Sequence, residues 1–144
     1  MGLDPVYIHR ALADLAQLRE YLRGRATLSG AALAGDFTLR MAVLHTLQLA
    51  IQIVLDVGAH LLADRAGGPI DEYGEIGPRL ARERLIPSDL GETLTRMARF
   101  RNLLVHQYAD IDLDRVALVI QTGLADFETF ESCIRAGMGT PRSS

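Results

Sequence analysis

Residues 36–62 read DFTLRMAVLHTLQLAIQIVLDVGAHLL, and their period decides the fold. Phe37, Met41, Leu44, Gln48, Ile51, Leu55, Gly58 and Leu62 recur at alternating intervals of four and three, the spacing of one helix face. Leu47, Val54 and Leu61 widen the stripe, so more than one neighbour must cover this helix. Asp36 stands at the N-cap position, and Gly67-Gly68-Pro69 stops the run. Residues 47–63 are the most apolar of the chain, but Gln48, Gln52, Asp56 and His60 interrupt them and argue against a membrane span.

The same period extends outward in both directions. Towards the start, Asp4 followed by Pro5 reads as an N-cap with proline at the first helical position. Ile8, Leu12, Leu15, Leu18 and Leu22 then form one stripe over a helix of residues 5–24, closed by Gly24 and Ser29-Gly30. Towards the end, residues 79–85 read as a short helix closed by Pro87. A third long helix starts at Ser88 or Asp89, with Glu92 as the partner in a capping box. A fourth follows the run Asp110-Ile-Asp-Leu-Asp and turns Leu113, Val116, Ile120, Leu124, Phe127 and Ile134 inward. No alternating, strand-like stretch competes. The expectation is an all-α, four-to-five-helix up-and-down bundle, one domain over residues 1–136 with a frayed tail over 137–144.

Composition excludes several classes. The chain has 144 residues, 49% of them hydrophobic, which rules out a disordered chain. Its one cysteine, Cys133, rules out a disulfide scaffold and the common structural zinc sites, and reads as a small buried side chain. All the basic residues are Arg, and the net charge of −3 excludes a generic polyanion binder. The start, Met1-Gly2-Leu3-Asp4-Pro5, carries neither a basic nor an apolar leader segment and fails the myristoylation pattern at Val6, so a soluble cytoplasmic protein is expected.

The informative break lies on the third long helix. Its stripe runs Leu90, Leu94, Met97, Arg101, Leu104, Tyr108, which puts an arginine at a core-phase position. Burying a guanidinium without partners costs several kcal/mol, so a carboxylate, a wet cleft or a bound anion must compensate. Asn102 and His106, four apart, share a neighbouring face. A fixed cation, an amide, an imidazole and a phenol thus gather near one helix end. Arginine binds a phosphate bidentately, and histidine moves a proton near neutral pH, so the set suits phosphodiester chemistry. One copy is a thin catalytic kit, whereas two copies across a dimer axis supply an acid and a base.

The stretch Arg101-Asn102-Leu-Leu-Val-His106-Gln-Tyr108 resembles the Arg-x₄-His-x-Tyr signature of the HepT-like ribonuclease toxins of the HEPN class. Residues 40–60 are similar to that family's long second helix, and the runs at 85–90 and 97–102 to its entry into the motif helix. The resemblance implies a homodimer with a shared cleft and metal-independent RNA cleavage by 2′-hydroxyl attack. On that carry-over His106 is general acid or base, Arg101 holds the scissile phosphate and Asn102 orients the site. The implied partners are RNA, tRNA or mRNA, and a minimal nucleotidyltransferase antitoxin of MntA type that adenylylates Tyr108. No cofactor and no metal are implied.

Residue by residue, blander readings compete. Arg101 and His106 also fit a structural helix end, the arginine paired with a carboxylate of the last helix and the histidine capping carbonyls. Asp56, His60 and Asp64 read as an exposed charge ladder rather than a metal site. Asp110-x-Asp112-x-Asp114 lacks the Gly and final Glu of a calcium loop and reads as a capping cluster. His9 and His45 have no identifiable partner. Between Arg79 and Arg101 the local charge balance is +3, which predicts a basic strip beside the site, and few aromatics argue against strong base stacking. The rival functions are a non-catalytic nucleotide- or substrate-binding subunit of a nucleotidyltransferase, and a purely structural dimerisation bundle.

Overall fold

The computed structural model describes residues 3–63, 65 and 67–139. Six α-helices and two 3₁₀ turns make up its regular structure: α1 (Pro5–Arg23), α2 (Gly30–Ala34), α3 (Phe37–Leu62), a 3₁₀ turn (Tyr73–Glu75), α4 (Ile76–Arg82), α5 (Ser88–His106), a second 3₁₀ turn (Tyr108–Asp110) and α6 (Leu113–Gly139). No strand occurs among the described residues. The expected all-α bundle is therefore what the chain forms, with α1, α3, α5 and α6 as its long members.

Helix α3 is the hub, packed against α1, α4 and α5. It buries Val43, Leu44, Leu47, Ala50, Ile51, Val54, Leu55, Val57 and Leu62, each fully buried aliphatic side chain worth about 1.5–3 kcal/mol. By length and composition α3 could cross a bilayer, but about half of its most apolar stretch is covered by the rest of the protein. Around it, α1 contributes Ile8, Leu12, Leu15 and Leu22, and α6 contributes Val116, Ile120, Leu124, Phe127, Phe130 and Ile134. Polar pins fix the alternating directions. Asp4 at the head of α1 donates its backbone N–H to His60 Nε2 near the end of α3 at 3.1 Å. Arg19 and Arg23 of α1 meet Glu131 and Glu128 of α6 in reversed order.

Caps account for most helix starts. Asp4 Oδ1 accepts from the N–H groups of Val6 and Tyr7, and Asp36 Oδ1 from that of Leu39. Asp112 Oδ1 accepts from Asp114 and Arg115, so the acidic run caps α6 as expected. Several expectations need correction. Helix α1 closes at Gly24 as expected, but the Ser29-Gly30 stretch beyond it opens a further short helix, α2, capped by Ser29 Oγ. Phe37, placed on the α3 core stripe, is two-thirds exposed. Helix α3 ends at Leu62, before the glycine pair.

Helix α4 begins three residues early, because the Glu75 carboxylate accepts from the N–H groups of Asp71 and Glu72 and starts the turn that leads into it. It ends early because Arg84 takes a left-handed conformation (φ 59°), closing a Schellman motif from Leu85 N–H to Leu80 C=O. At α5 the capping box is not made. Pro87 is the N-cap and offers no side-chain acceptor, so Ser88 already lies inside the helix. Helix α6 runs three residues past the expected start of the tail, to Gly139, and residues 140–144 lie outside those described.

Two features hold the bundle's flanks. Gly77 of α4 and Gly91 of α5 cross so closely that a Cβ on Gly77 would overlap the Gly91 carbonyl, which brings the Tyr73–Glu75 turn down onto α5. On the opposite flank, Glu131 is 2% exposed and accepts from Arg19 Nε and Nη2 at 2.8 and 3.1 Å, holding that guanidinium more firmly charged than usual. Removing one partner of such a pair strands the other. Glu131→Ala is therefore expected to lower stability by about 3 kcal/mol in urea unfolding, whereas the double change Arg19→Leu with Glu131→Leu should cost far less. Equal losses from the two would show that packing, not the ion pair, sets the cost.

Candidate active site

Arg101 lies on the face of α5 that meets α3, half-buried, and the core-phase guanidinium is compensated by neutral groups. Its Nε donates to Gln52 Oε1 of α3 at 2.9 Å, and its Nη1 to Asn102 Oδ1 at 3.2 Å. Its Cζ sits 5.1 Å from the centroid of the Tyr73 ring. Gln52 Nε2 in turn donates to Asp56 Oδ1 at 2.8 Å and to the Tyr73 hydroxyl at 3.1 Å. None of the ion pairs among the described residues includes Arg101. The carboxylate of the last helix that a structural helix end called for is not paired with it among the described residues.

Asn102, His106 and Tyr108 are all exposed. His106 is the last residue of α5, and no described residue hydrogen-bonds its ring. The helix stops because Gln107 leaves helical geometry (φ −134°, ψ 31°) after its N–H closes onto Leu103 C=O at 2.8 Å. Tyr108 consequently falls in the following 3₁₀ turn at 58% exposure instead of extending the Arg101 stripe. All four residues thus gather at one end of α5, with Arg101 turned inward and the others outward.

A match to the family described as Ribonuclease HepT-like spans residues 8–134. The chain belongs to the HepT-like ribonuclease family. It is 33% identical over 107 residues to the mRNA nuclease HepT of Shewanella oneidensis, covering 74% of this chain and 80% of that one. It is 23% identical over 129 residues to the tRNA nuclease HepT of Aphanizomenon flos-aquae, covering 90% and 88%. Among solved structures it resembles the tri-AMPylated HEPN toxin of S. oneidensis in complex with its MNT antitoxin, with a TM-score of 0.79 and 29% identity over 90% of this chain and 96% of that one.

Other side chains of this HepT-like chain take different roles from those their spacing suggested. Asp56 and His60 are not a ladder. Asp56 serves Gln52, and its charge, after burial, helps push the Tyr7 phenol up. His60 accepts from Asp4 and packs 4.8 Å from the Tyr7 ring; Asp64 lies outside the described residues. Among the described residues no three His, Cys, Asp or Glu side chains gather as a metal site would need. The arginine-rich stretch does not form one strip either. Arg79 is buried and donates to Gly68 C=O, while Arg96 faces a groove between α5 and α6 that Arg115 also lines.

A cavity of about 1130 Å³ lies at the opposite end of α5, where Arg84, Pro87, Met138 and the half-buried Cys133, its thiol pushed up by burial, line it. Gln52 and Tyr73 were missed as site residues. Gln52 was visible only as a polar interruption in an apolar helix, and Tyr73 gave no signal. Since Arg101 is half-exposed and neutral groups hold it, Arg101→Leu should change stability by less than about 1 kcal/mol in chemical denaturation. A loss of several kcal/mol would make Arg101 a structural strut.

Proposed function

We propose that this chain is a metal-independent endoribonuclease toxin of a toxin–antitoxin pair, acting in the cytoplasm as a homodimer. The observation that carries the reading is Arg101, a fixed guanidinium whose charge no described carboxylate neutralises and which is left to meet a phosphate. Arg101 holds the scissile phosphate and Asn102 steadies the guanidinium. His106 removes the proton of the ribose 2′-hydroxyl or delivers one to the leaving 5′-oxygen. The 2′-oxygen forms the new bond to phosphorus and the P–O5′ bond breaks, leaving a 2′,3′-cyclic phosphate and a 5′-hydroxyl. No step calls for a metal.

Helix geometry supports a site shared by two protomers. Five residues along an α-helix turn it by about 140° past a full revolution, so Arg101 and His106 of one chain project from different faces. A second copy brings a second imidazole, giving acid and base together. Tyr108, exposed beside His106, is the residue that a nucleotidyltransferase antitoxin of MntA type would adenylylate, its phenolic oxygen taking the α-phosphoryl of ATP and releasing pyrophosphate. The added phosphate would repel RNA and occupy Arg101. Membership of the HepT-like family and the AMPylated toxin of the similar S. oneidensis complex support this reading.

Two outcomes test it. Protein prepared without a partner should cleave tRNA or mRNA in EDTA to cyclic-phosphate ends, and His106→Ala should reduce the rate by about 10²–10⁴-fold while still binding RNA. Arg101→Ala mixed with His106→Ala should regain activity if the protomers divide the roles. Loss of cleavage in EDTA would remove the mechanism, and unmodified wild type that cuts nothing would favour a non-catalytic binding subunit. Separately, a minimal nucleotidyltransferase with ATP should add adenylyl mass to the wild type but not to Tyr108→Phe, with cleavage lost only where mass is gained. Equal labelling of both would place the modification elsewhere.

A further inference from the structure

We infer that Gln52, oriented by Asp56 and Tyr73, is the positioning residue that fixes Arg101 for phosphate while keeping its charge available. This rests on the reading of Arg101 as the phosphate-binding cation. A guanidinium only donates and a carboxylate only accepts, whereas a glutamine amide does one at each end. Between Arg101 Nε at 2.9 Å and Asp56 Oδ1 at 2.8 Å, the Gln52 amide satisfies both neighbours in one orientation alone. Turned over, it would set NH₂ against guanidinium and carbonyl against carboxylate, losing both bonds. The Tyr73 hydroxyl, able to accept or donate, takes the second hydrogen of the same Nε2 at 3.1 Å.

Arg101 is thereby gripped twice, at Nε by the Gln52 carbonyl and on its face by the Tyr73 ring. Nη1 reaches Asn102, and among the described residues nothing accepts from Nη2. The order of groups along α3 also matters. A carboxylate at position 52 could also accept from Arg101, but it would stand against Asp56, neutralise the guanidinium and compete with an anionic backbone. Helix α3 instead puts a neutral amide against the cation and holds the carboxylate one turn back, where it acts on the amide. Asp56, four residues on, faces Gln52 and Tyr7, and Tyr73 comes from the turn that α4 presses onto α5. The arginine is rigid and charged at once.

The test uses full-length wild type, Gln52→Glu, Gln52→Leu and Asp56→Asn, each compared for fold by urea midpoint. Gln52→Glu sets a second carboxylate against Asp56 and should lower the urea midpoint while the chain still folds; it should raise KM for RNA roughly tenfold and flatten its salt dependence, as loss of one cation contact would. Gln52→Leu should lower kcat roughly tenfold to a hundredfold, the cost of a misplaced catalytic group. Asp56→Asn should fall between wild type and Gln52→Leu. An activity-free readout is the ¹⁵N–¹H signal of Arg101 Nε, assigned by its absence in Arg101→Leu. It should exchange slowly with water in wild type and rapidly in Gln52→Leu. Folded Gln52→Glu and Gln52→Leu that cleave as wild type does, or an Nε–H exchanging as fast as exposed arginines in wild type, would overturn the inference. A protected Nε–H in wild type that cuts no RNA would instead leave the positioning standing and remove the ribonuclease reading.

Discussion

Helix α3 is apolar on more of its circumference than one neighbour can cover, and that constraint organises the bundle. Leu44, Ile51 and Leu55 lie about 100° round the helix from Val43, Ala50 and Val54, and all six are buried, so α1, α4 and α5 must each supply a wall. Each fully buried aliphatic side chain brings about 1.5–3 kcal/mol, which makes the placement of the walls cooperative. The glycine crossing of α4 and α5 is part of this closure, since it lets two backbones approach where side chains would hold them apart. The site inherits its precision from that packing. Arg101 belongs to one wall, Gln52 to the hub, and Tyr73 to the turn that enters another wall.

Within this apolar helix the polar residues cannot be incidental. Gln52 and Asp56 are half-buried, where an unsatisfied amide or carboxylate would cost more than a substituted leucine could lose. They are tolerated because they satisfy each other and Arg101. The reverse also holds, because Arg101 occupies a core-phase position only while Gln52 accepts from it. The polar cluster is thus a closed local circuit with one opening, the outward edge of the guanidinium. A bundle evolved for packing alone would have leucines at positions 52 and 101, since replacing buried polar groups by well-packed apolar ones is often stabilising.

Much of the fold was legible in the sequence because its signals are local. Asp4-Pro5 and Asp36 announce their helices within three residues, and the four–three spacing of α1 and α6 names their buried faces almost completely. What escaped depends on geometry that sequence does not carry. The α5 capping box failed because proline took the cap position and shifted Ser88 by one residue. Helix α2 is only five residues long, too short for a period to show. Arg101 was recognisable as a misplaced cation, but its acceptor is forty-nine residues away and on a different helix. The basic strip failed for a related reason: Arg79 is buried, and the exposed arginines leave their helices on different faces, so local charge balance did not become one continuous strip.

The last element is the break after His106. Had α5 continued, Tyr108 would have followed Leu104 on the inward stripe and been covered by the bundle, like Met97 and Leu104. Gln107 instead departs from helical geometry, and the 3₁₀ turn swings Tyr108 outward within two residues of the imidazole. One local change of backbone conformation therefore does two things. It leaves the exposed His106 ring at the very end of the helix, and it presents the Tyr108 phenol to solvent beside it. On the proposed reading, catalysis and its silencing are neighbours because both depend on where this helix stops. The acidic run that follows, with Asp112 capping α6, ensures that the chain turns away at that point and does not resume the helix.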